Sequence, residues 1–310
     1  MTDVDLIVIG AGPAGMSAAA VAARSGLRVL MLDEQPQAGG QIYRNVAQNQ
    51  GRRSWLGTAY AQGAGLVEAL DHPNIEFLSG ATVWRVDNGP RVTWSRGGAS
   101  QTFSAAHVLL ATGAQERPVP FPGWTLPGVM PAGAAQILMK AAGMLPQNAV
   151  LAGSGPLLYL VAAQMIDAGC APLALVETQT TRGMFGAMRH LPRAMFGAAT
   201  LLKGLGLIAK IRRAGVPRYT AASDFRATAE RNGDIRFSFR VAAEARSLNC
   251  GLLLTHQGVV PGTHITRAAG IAHSWNKDQG AYQPECDRWG ATNQPGLHIA
   301  GDGAGIGGAE

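Results

Sequence analysis

Cysteine, charge and long apolar runs are all in short supply in this chain. Three cysteines, Cys170, Cys250 and Cys286, are spread over 310 residues and never form a C-x-x-C pair. That spacing argues against a disulfide scaffold, a zinc site or a dithiol redox centre held by this chain alone, and leaves buried structural thiols as the expectation. Charged residues make up only 15% of the composition against 47% hydrophobic, yet no uninterrupted apolar stretch reaches the roughly 18 residues of a membrane-spanning helix. The apolar N-terminal run has no basic lead-in, so no secretory leader is expected and the cytosol is the expected compartment. The histidines, His72, His107, His190, His256, His264, His273 and His298, lie scattered and never at metal-ligand spacing. No metal, and no catalytic acid, base or nucleophile, is assigned from them.

Acidic residues are missing from one stretch altogether. None falls between Glu177 and Asp224, where Arg182, Arg189, Arg193, Lys203, Lys210, Arg212, Arg213 and Arg218 are interleaved with Met, Phe and Leu. The pattern predicts one or two basic amphipathic helices over 182–218. Two readings stay open: a solvated helical insertion with an apolar inner face, or a docking surface for an acidic partner or for anionic lipid on the inner membrane. The net charge of +6 does not point to nucleic acid, because no aromatic-interleaved groove or recognition motif accompanies it.

Glycine is abundant, with 41 residues beside 17 prolines, as in an α/β protein of two domains with many tight turns. Its placement carries the chemistry. A short strand, Leu6-Ile7-Val8-Ile9, runs into Gly10-Ala11-Gly12-Pro13-Ala14-Gly15 and an Ala-rich helix. Gly10 allows the tight turn, Gly12 removes the Cβ that would meet a diphosphate, and Gly15 lets helix and strand pack closely. The diphosphate then rests on the helix N-terminus. A second strand, Val29-Leu30-Met31-Leu32, ends on Asp33, placed to accept hydrogen bonds from adenosine ribose hydroxyls, with Glu34 as the neighbouring alternative. Downstream, Val108-Leu109-Leu110-Ala111 leads into Thr112-Gly113, and Leu297-His298-Ile299-Ala300 into Gly301-Asp302. Together these segments outline an FAD site, in which Asp302 would accept from a ribityl hydroxyl while Gly301 lets the backbone approach the diphosphate.

Between them the chain reads as a helix over 58–70, strands over 75–79, 81–86, 91–95 and 101–103, and a return strand at Val108. Pro118, Pro120, Pro122 and Pro127 mark a linker. A second strand-loop-helix unit follows, with Ala149-Val150-Leu151-Ala152 entering Gly153-Ser154-Gly155-Pro156-Leu157-Leu158 and a later strand ending on Glu177. Gly153, Gly155 and Glu177 are the candidates for a second nucleotide. Leu158, however, stands where a third small residue belongs and would push helix and strand apart, which argues against tight NAD binding. Strands over 237–241 and 251–255 close the insertion. The expected fold is α/β, with two Rossmann-like dinucleotide-binding domains, the second inserted in the first: 1–118 and 261–310 for FAD, 119–260 for the insertion.

With those residues placed, the chain resembles the two-dinucleotide-domain flavoproteins with the fold of thioredoxin reductase. More closely, it resembles the flavin-fold subunit of heteromeric amine dehydrogenases: opine oxidases, hydrogen cyanide synthase, and dye-linked proline and hydroxyproline dehydrogenases. The resemblance rests on Gly39-Gly40-Gln41-Ile42-Tyr43-Arg44, on Ala111-Thr112-Gly113-Ala114-Gln115-Glu116-Arg117-Pro118, on His256-Gln257-Gly258-Val259-Val260-Pro261 and on Cys286-Asp287-Arg288-Trp289-Gly290, together with the glycine loops. It implies that substrate is oxidised elsewhere, on a catalytic flavoprotein partner of the amino-acid oxidase type, while the subunit resembling this one relays electrons or holds an adenine nucleotide. It further implies that Gly40 and Gln41 lie beside the flavin ring, that Val83 offers backbone bonds to adenine, and that Thr112-Gly113 lines the diphosphate; Gln41 reads equally well as a surface loop residue. Iron-sulfur clusters accompany such subunits, held by a C-terminal extension or a small iron-sulfur partner. Three dispersed cysteines give this chain too few ligands for a cluster of its own. The chain stops at Glu310, where the resemblance implies a helix facing the flavin, so it is expected either to be cut short after Gly301-Asp302 or to have that edge covered by a partner.

Two other functions compete with this one. A free-standing NADH-dependent flavin or disulfide oxidoreductase is weakened by Leu158 and by the absent dithiol. A non-catalytic scaffold holding ADP or ATP would keep every adenosine contact.

Overall fold

A computed structural model describes residues 4–180 and 198–307. The chain divides into two compact units, Met1–Gln115 with Val259–Glu310, and Glu116–Gly258. These divisions fall two or three residues from the 118/119 and 260/261 boundaries read in the sequence.

The first unit is built on β1 (Val4–Ile9), β2 (Val29–Asp33), β3 (Ile75–Ser79), β4 (Thr82–Asp87), β5 (Arg91–Arg96) and β6 (Ala99–Leu110). Strands β3, β2, β1 and β6 run parallel in that order, and β4, β5 and the first half of β6 form an antiparallel meander. The sequence suggests separate strands over 101–103 and from Val108. Instead β6 is continuous: Ala99 to Ser104 pair with β5 and Ala105 to Leu110 with β1. One strand can serve both sheets because each half finds its own partner for its backbone groups.

Successive side chains on a strand point to opposite faces. Ile7 and Ile9 therefore pack with Leu30, Leu32, Val108 and Leu110 on one face, while Val8 and Met31 meet the helix Pro13–Arg24 on the other through Met16, Ala19 and Ala23. Both faces are covered, which is why these strands are apolar throughout. The helix expected over 58–70 is broken into Thr58–Ala61 and Gly63–Glu68. A Cβ on Gly63 would stand 2.2 Å from the ring of Tyr43, so the second piece begins where the backbone lies against that ring.

After β7 (Ala114–Glu116), the inserted unit comprises β8 (Val129–Pro131), β9 (Ala149–Ser154), β10 (Ala174–Glu177), β11 (Arg218–Tyr219), β12 (Ser223–Ala229), β13 (Ile235–Val241), β14 (Glu244–Cys250) and β15 (Leu252–Gln257). Its parallel sheet has the order β11-β10-β9-β15-β8, and β12-β13-β14 form an antiparallel meander. Phe237, Phe239 and Ile235 of the meander bury against Val150, Val176 and Leu253 of the sheet. Strands β12 and β14 escape the sequence reading because they are largely exposed and polar.

Of the basic segment 182–218, residues 181–197 lie outside the described residues. The described helix spans Ala198–Arg213 and stops there. Arg218 belongs not to a helix but to β11, paired with β10. Lys210 bonds Asp167 of the helix Pro156–Asp167 at 2.6 Å.

The chain returns to the first unit through β16 (Val259–Pro261), the hairpin of β17 (His273–Asn276) and β18 (Ala281–Pro284), and β19 (Leu297–Ile299), which joins the parallel sheet beside β6. Among the described residues, no helix is long and apolar enough to cross a membrane.

Candidate functional site

The connections out of β1, β6 and β19 all leave from the carboxyl end of one parallel sheet. Strand order reverses between β2-β1 and β1-β6. That switch point is where open α/β sheets form a crevice.

Gly10 has φ +104°, and a Cβ there would lie 2.4 Å from the Ala111 carbonyl oxygen. A Cβ on Gly15 would lie 1.9 Å from the Gly10 oxygen. Both positions are thus fixed by packing. Gly12 differs: its φ is −79°, and the nearest atom to an added Cβ is Gly40 Cα at 3.9 Å. Among the described residues, no other atom outside its chain neighbours comes within 4 Å of that Cβ position. The helix that follows starts with Pro13, has no side-chain cap and carries no acid in its first turn, so its N–H groups and dipole face that space ready for an anion.

Other expected residues gather here. A Cβ on Gly40 would touch Gly12 Cα at 2.8 Å, and one on Gly301, whose φ is +71°, would touch Ala14 Cβ at 2.7 Å. Gly113, at φ +66°, accepts from the Gly262 N–H at 2.9 Å, while the Thr112 hydroxyl donates to Gly262 O at 3.3 Å. Asp302 Oδ1 accepts from Gly307 N at 3.2 Å. The exposed Gln41 amide donates to Ala114 O at 3.0 Å. Val83 sits at a bulge in β4, two residues beyond Ala81, whose N–H bonds the Asp33 carbonyl at 2.9 Å.

Asp33 braces the glycine loop. Its Oδ2 accepts from Ala11 N at 2.6 Å and its Oδ1 from Gln35 N at 2.8 Å. Burial pushes its pKa up, and those two backbone bonds and the Arg44 charge pull against that rise. Each carboxylate oxygen keeps a second lone pair, so the bracing role and acceptance from a ribose hydroxyl are compatible. Glu34 is exposed beside it.

The second glycine loop is arranged differently. A Cβ on Gly153 would lie 1.8 Å from His256 O, and one on Gly155 would lie 3.2 Å from the His256 ring. Leu158 is wholly buried in the first turn of its helix. Glu177, 2% exposed, is occupied by Arg218 at 2.8 to 3.1 Å and by the Tyr159 hydroxyl. Burial, followed by the Glu177 bond and charge, pushes Tyr159 up to about 12. Four donor contacts use the acceptor sites of that carboxylate.

Two pairs were hidden in the sequence. His107 Nδ1 and His298 Nε2 lie 3.0 Å apart across β6 and β19, and His256 Nδ1 lies 2.5 Å from Glu116 Oε1. The latter partners are separated by 140 positions, so no local spacing could connect them, although both sit in the runs that carry the resemblance. Among the described residues, no group of three His, Cys, Asp or Glu is placed to hold a metal. Cys170 and Cys250 are buried and Cys286 is exposed.

A family model for pyridine nucleotide-disulphide oxidoreductases matches residues 4–309. The chain is 44% identical to an opine oxidase subunit from Agrobacterium tumefaciens (strain Ach5), over 99% of this chain and 62% of that protein. It is 32% identical to the hydrogen cyanide synthase subunit HcnB of Pseudomonas aeruginosa, over 98% of this chain and 67% of that one. It thus spans about two thirds or less of the length of these curated relatives. L-proline dehydrogenase from P. horikoshii has a similar fold, with a TM-score of 0.69 over 98% of this chain and 51% of that one, at 18% identity.

Proposed function

The chain belongs to the pyridine nucleotide-disulphide oxidoreductase family, and from that membership we propose that it is the FAD-binding, electron-transferring subunit of a heteromeric amino-acid or opine oxidase. The observation that carries the reading is the open space at Gly12, bounded by an uncapped helix N-terminus, by the Asp33 carboxylate and by the Gly301 turn. Gly12, Ala14 and Gly15 would hold the diphosphate, Asp33 or Glu34 the ribose, and Val83 the adenine edge. Gly40, Gln41, Ala111, Thr112, Gly113 and Asp302 would line the remainder of the cofactor. When bound, the flavin supplies the redox chemistry, and the protein orients it and tunes its potential.

The relatives are named as subunits, which supports a partner of the amino-acid oxidase type as the place where substrate is oxidised. An iron-sulfur cluster would come from a partner or from further chain. The basic segment, with Leu202 and Leu205 exposed on its described helix, is proposed as a surface for an acidic partner or anionic lipid. The NADH-dependent reductase reading has less support, since Leu158 is buried and Glu177 is filled.

The test is the visible spectrum of the purified protein and the identity of the nucleotide released on denaturation. FAD in stoichiometric amount is expected. A colourless protein releasing only ADP or ATP would make it a nucleotide-holding scaffold instead.

A further inference from the structure

Arg44 stands at the end of a loop that presses on the first glycine loop. Gly39 N donates to Ala11 O at 2.8 Å, and a Cβ on Gly40 would touch Gly12 Cα at 2.8 Å. The loop is also closed on itself, because Tyr43 N donates to Gly39 O at 3.0 Å. From the other side the Tyr60 hydroxyl donates to the Arg44 carbonyl at 2.5 Å, and Asn49 Nδ2 holds that hydroxyl in turn at 2.7 Å. The backbone of Arg44 is therefore fixed within the wall of the Gly12 crevice.

Its guanidinium has no acceptor in the protein. The Nε is shut off from solvent without a hydrogen-bond partner, and among the described residues the side chain forms no ion pair. Buried polar groups are as a rule hydrogen-bonded, so a planar fork of five donors held in this way calls for an acceptor from outside the chain.

Charge points the same way. Asp33, whose pKa is raised first by burial, is pulled down by the Arg44 charge and pushed up by that of Glu34. Arg44 is the cation in that balance. Two acids alone would repel a diphosphate, and a helix N-terminus offers only about half a charge against them. With Arg44 the crevice presents a carboxylate for ribose hydroxyls and a guanidinium fork for phosphate oxygens, which it can meet in bidentate fashion.

We infer that Arg44 binds the diphosphate of the adenine nucleotide and gives this crevice its preference for nucleotides over nucleosides. Resting on the FAD reading, this role concerns the ADP half of the cofactor, with Asp33 at the ribose.

ADP, FAD and adenosine are the probes, titrated by calorimetry into the full chain after dialysis has removed bound nucleotide. The unaltered protein should bind ADP about tenfold or more tightly than adenosine, since only ADP offers the fork a charged acceptor. Arg44→Met keeps the aliphatic stem and removes the donors. It should weaken ADP and FAD about ten- to hundredfold, the span of one charge-assisted hydrogen bond, and leave adenosine within about twofold. Arg44→Lys should recover only part of the loss, because a point charge lacks the fork. Melting of the nucleotide-free protein is the second readout. An orphaned donor is a cost to the fold, so Arg44→Met should hold or raise the midpoint, whereas a residue kept for structure alone would lower it. Unchanged ADP affinity in Arg44→Met, equal losses for ADP and adenosine, or a lowered midpoint with the ADP-to-adenosine ratio intact would each overturn the role of Arg44 and leave the FAD reading standing. Binding of neither ADP nor FAD to the unaltered protein would overturn both.

Discussion

Gly12 and Gly15 look alike in the sequence and do different work in space. At Gly15 a methyl group would collide with the Gly10 carbonyl at 1.9 Å, so the residue is required by packing. At Gly12 the same methyl group meets nothing closer than 3.9 Å, and φ is one that any residue adopts. Gly12→Ala should therefore leave thermal stability of the cofactor-free protein within about 0.5 kcal/mol while sharply reducing FAD affinity. Unchanged affinity in flavin titrations would remove the diphosphate from this crevice. Asp33 has two duties at once. Asp33→Ala strips the acceptor from the Ala11 and Gln35 N–H groups, each a charge-assisted bond of about 1.5–3 kcal/mol. Both the unfolding midpoint and FAD retention should fall. Lost retention at an unchanged midpoint would leave the ribose role and sink the bracing role.

Pairs brought together by neighbouring strands set the behaviour of the elements. Glu177 ends β10 with its side chain 3% exposed, and Arg218 of β11 covers it at 30% exposure. Arg218→Met would take away the charge that balances this buried carboxylate and leave it to the Tyr159 hydroxyl. Removing one member of a buried pair costs about 3–5 kcal/mol, whereas replacing both is far milder. Urea unfolding should show the single variant strongly destabilised and Glu177→Leu/Arg218→Met largely restored; equal losses in both would mean that the pair contributes little as a pair. On β6 and β19, burial and then the adjacent His107 hold His298 below its ordinary 6.5, against a pull upward from Asp287. The unfolded chain takes up that proton first, so stability present above pH 6.5 is lost as pH falls from there through the lowered value. His107→Gln should flatten this slope in unfolding midpoints measured across that window. An unaltered slope would assign the acid sensitivity to other groups.

For the molecule as a whole, the inserted unit keeps the parallel sheet of a nucleotide fold, while Arg218 and Tyr159 occupy the Glu177 carboxylate. NADH alone should therefore fail to bleach the flavin of the purified protein in anaerobic stopped-flow measurements, while an opine or imino acid should bleach it only in the presence of the catalytic partner. Rapid bleaching by NADH alone would favour the free-standing reductase.

The sequence by itself determined the parallel sheets, the first glycine loop and the discontinuity of the first unit. Those features depend on short-range rules: alternating or continuous apolar strands, a glycine where φ is positive, and an acid one strand away. It also marked Leu158 as the departure in the second loop. Only the tertiary structure decided that β6 is a single strand, that Arg218 leaves the basic helix to cover Glu177, and that His256 meets Glu116 against the second loop. Each of these depends on groups more than 40 positions apart or on which partner a backbone segment finds, and pairing across such distances leaves no periodic trace in the order of residues.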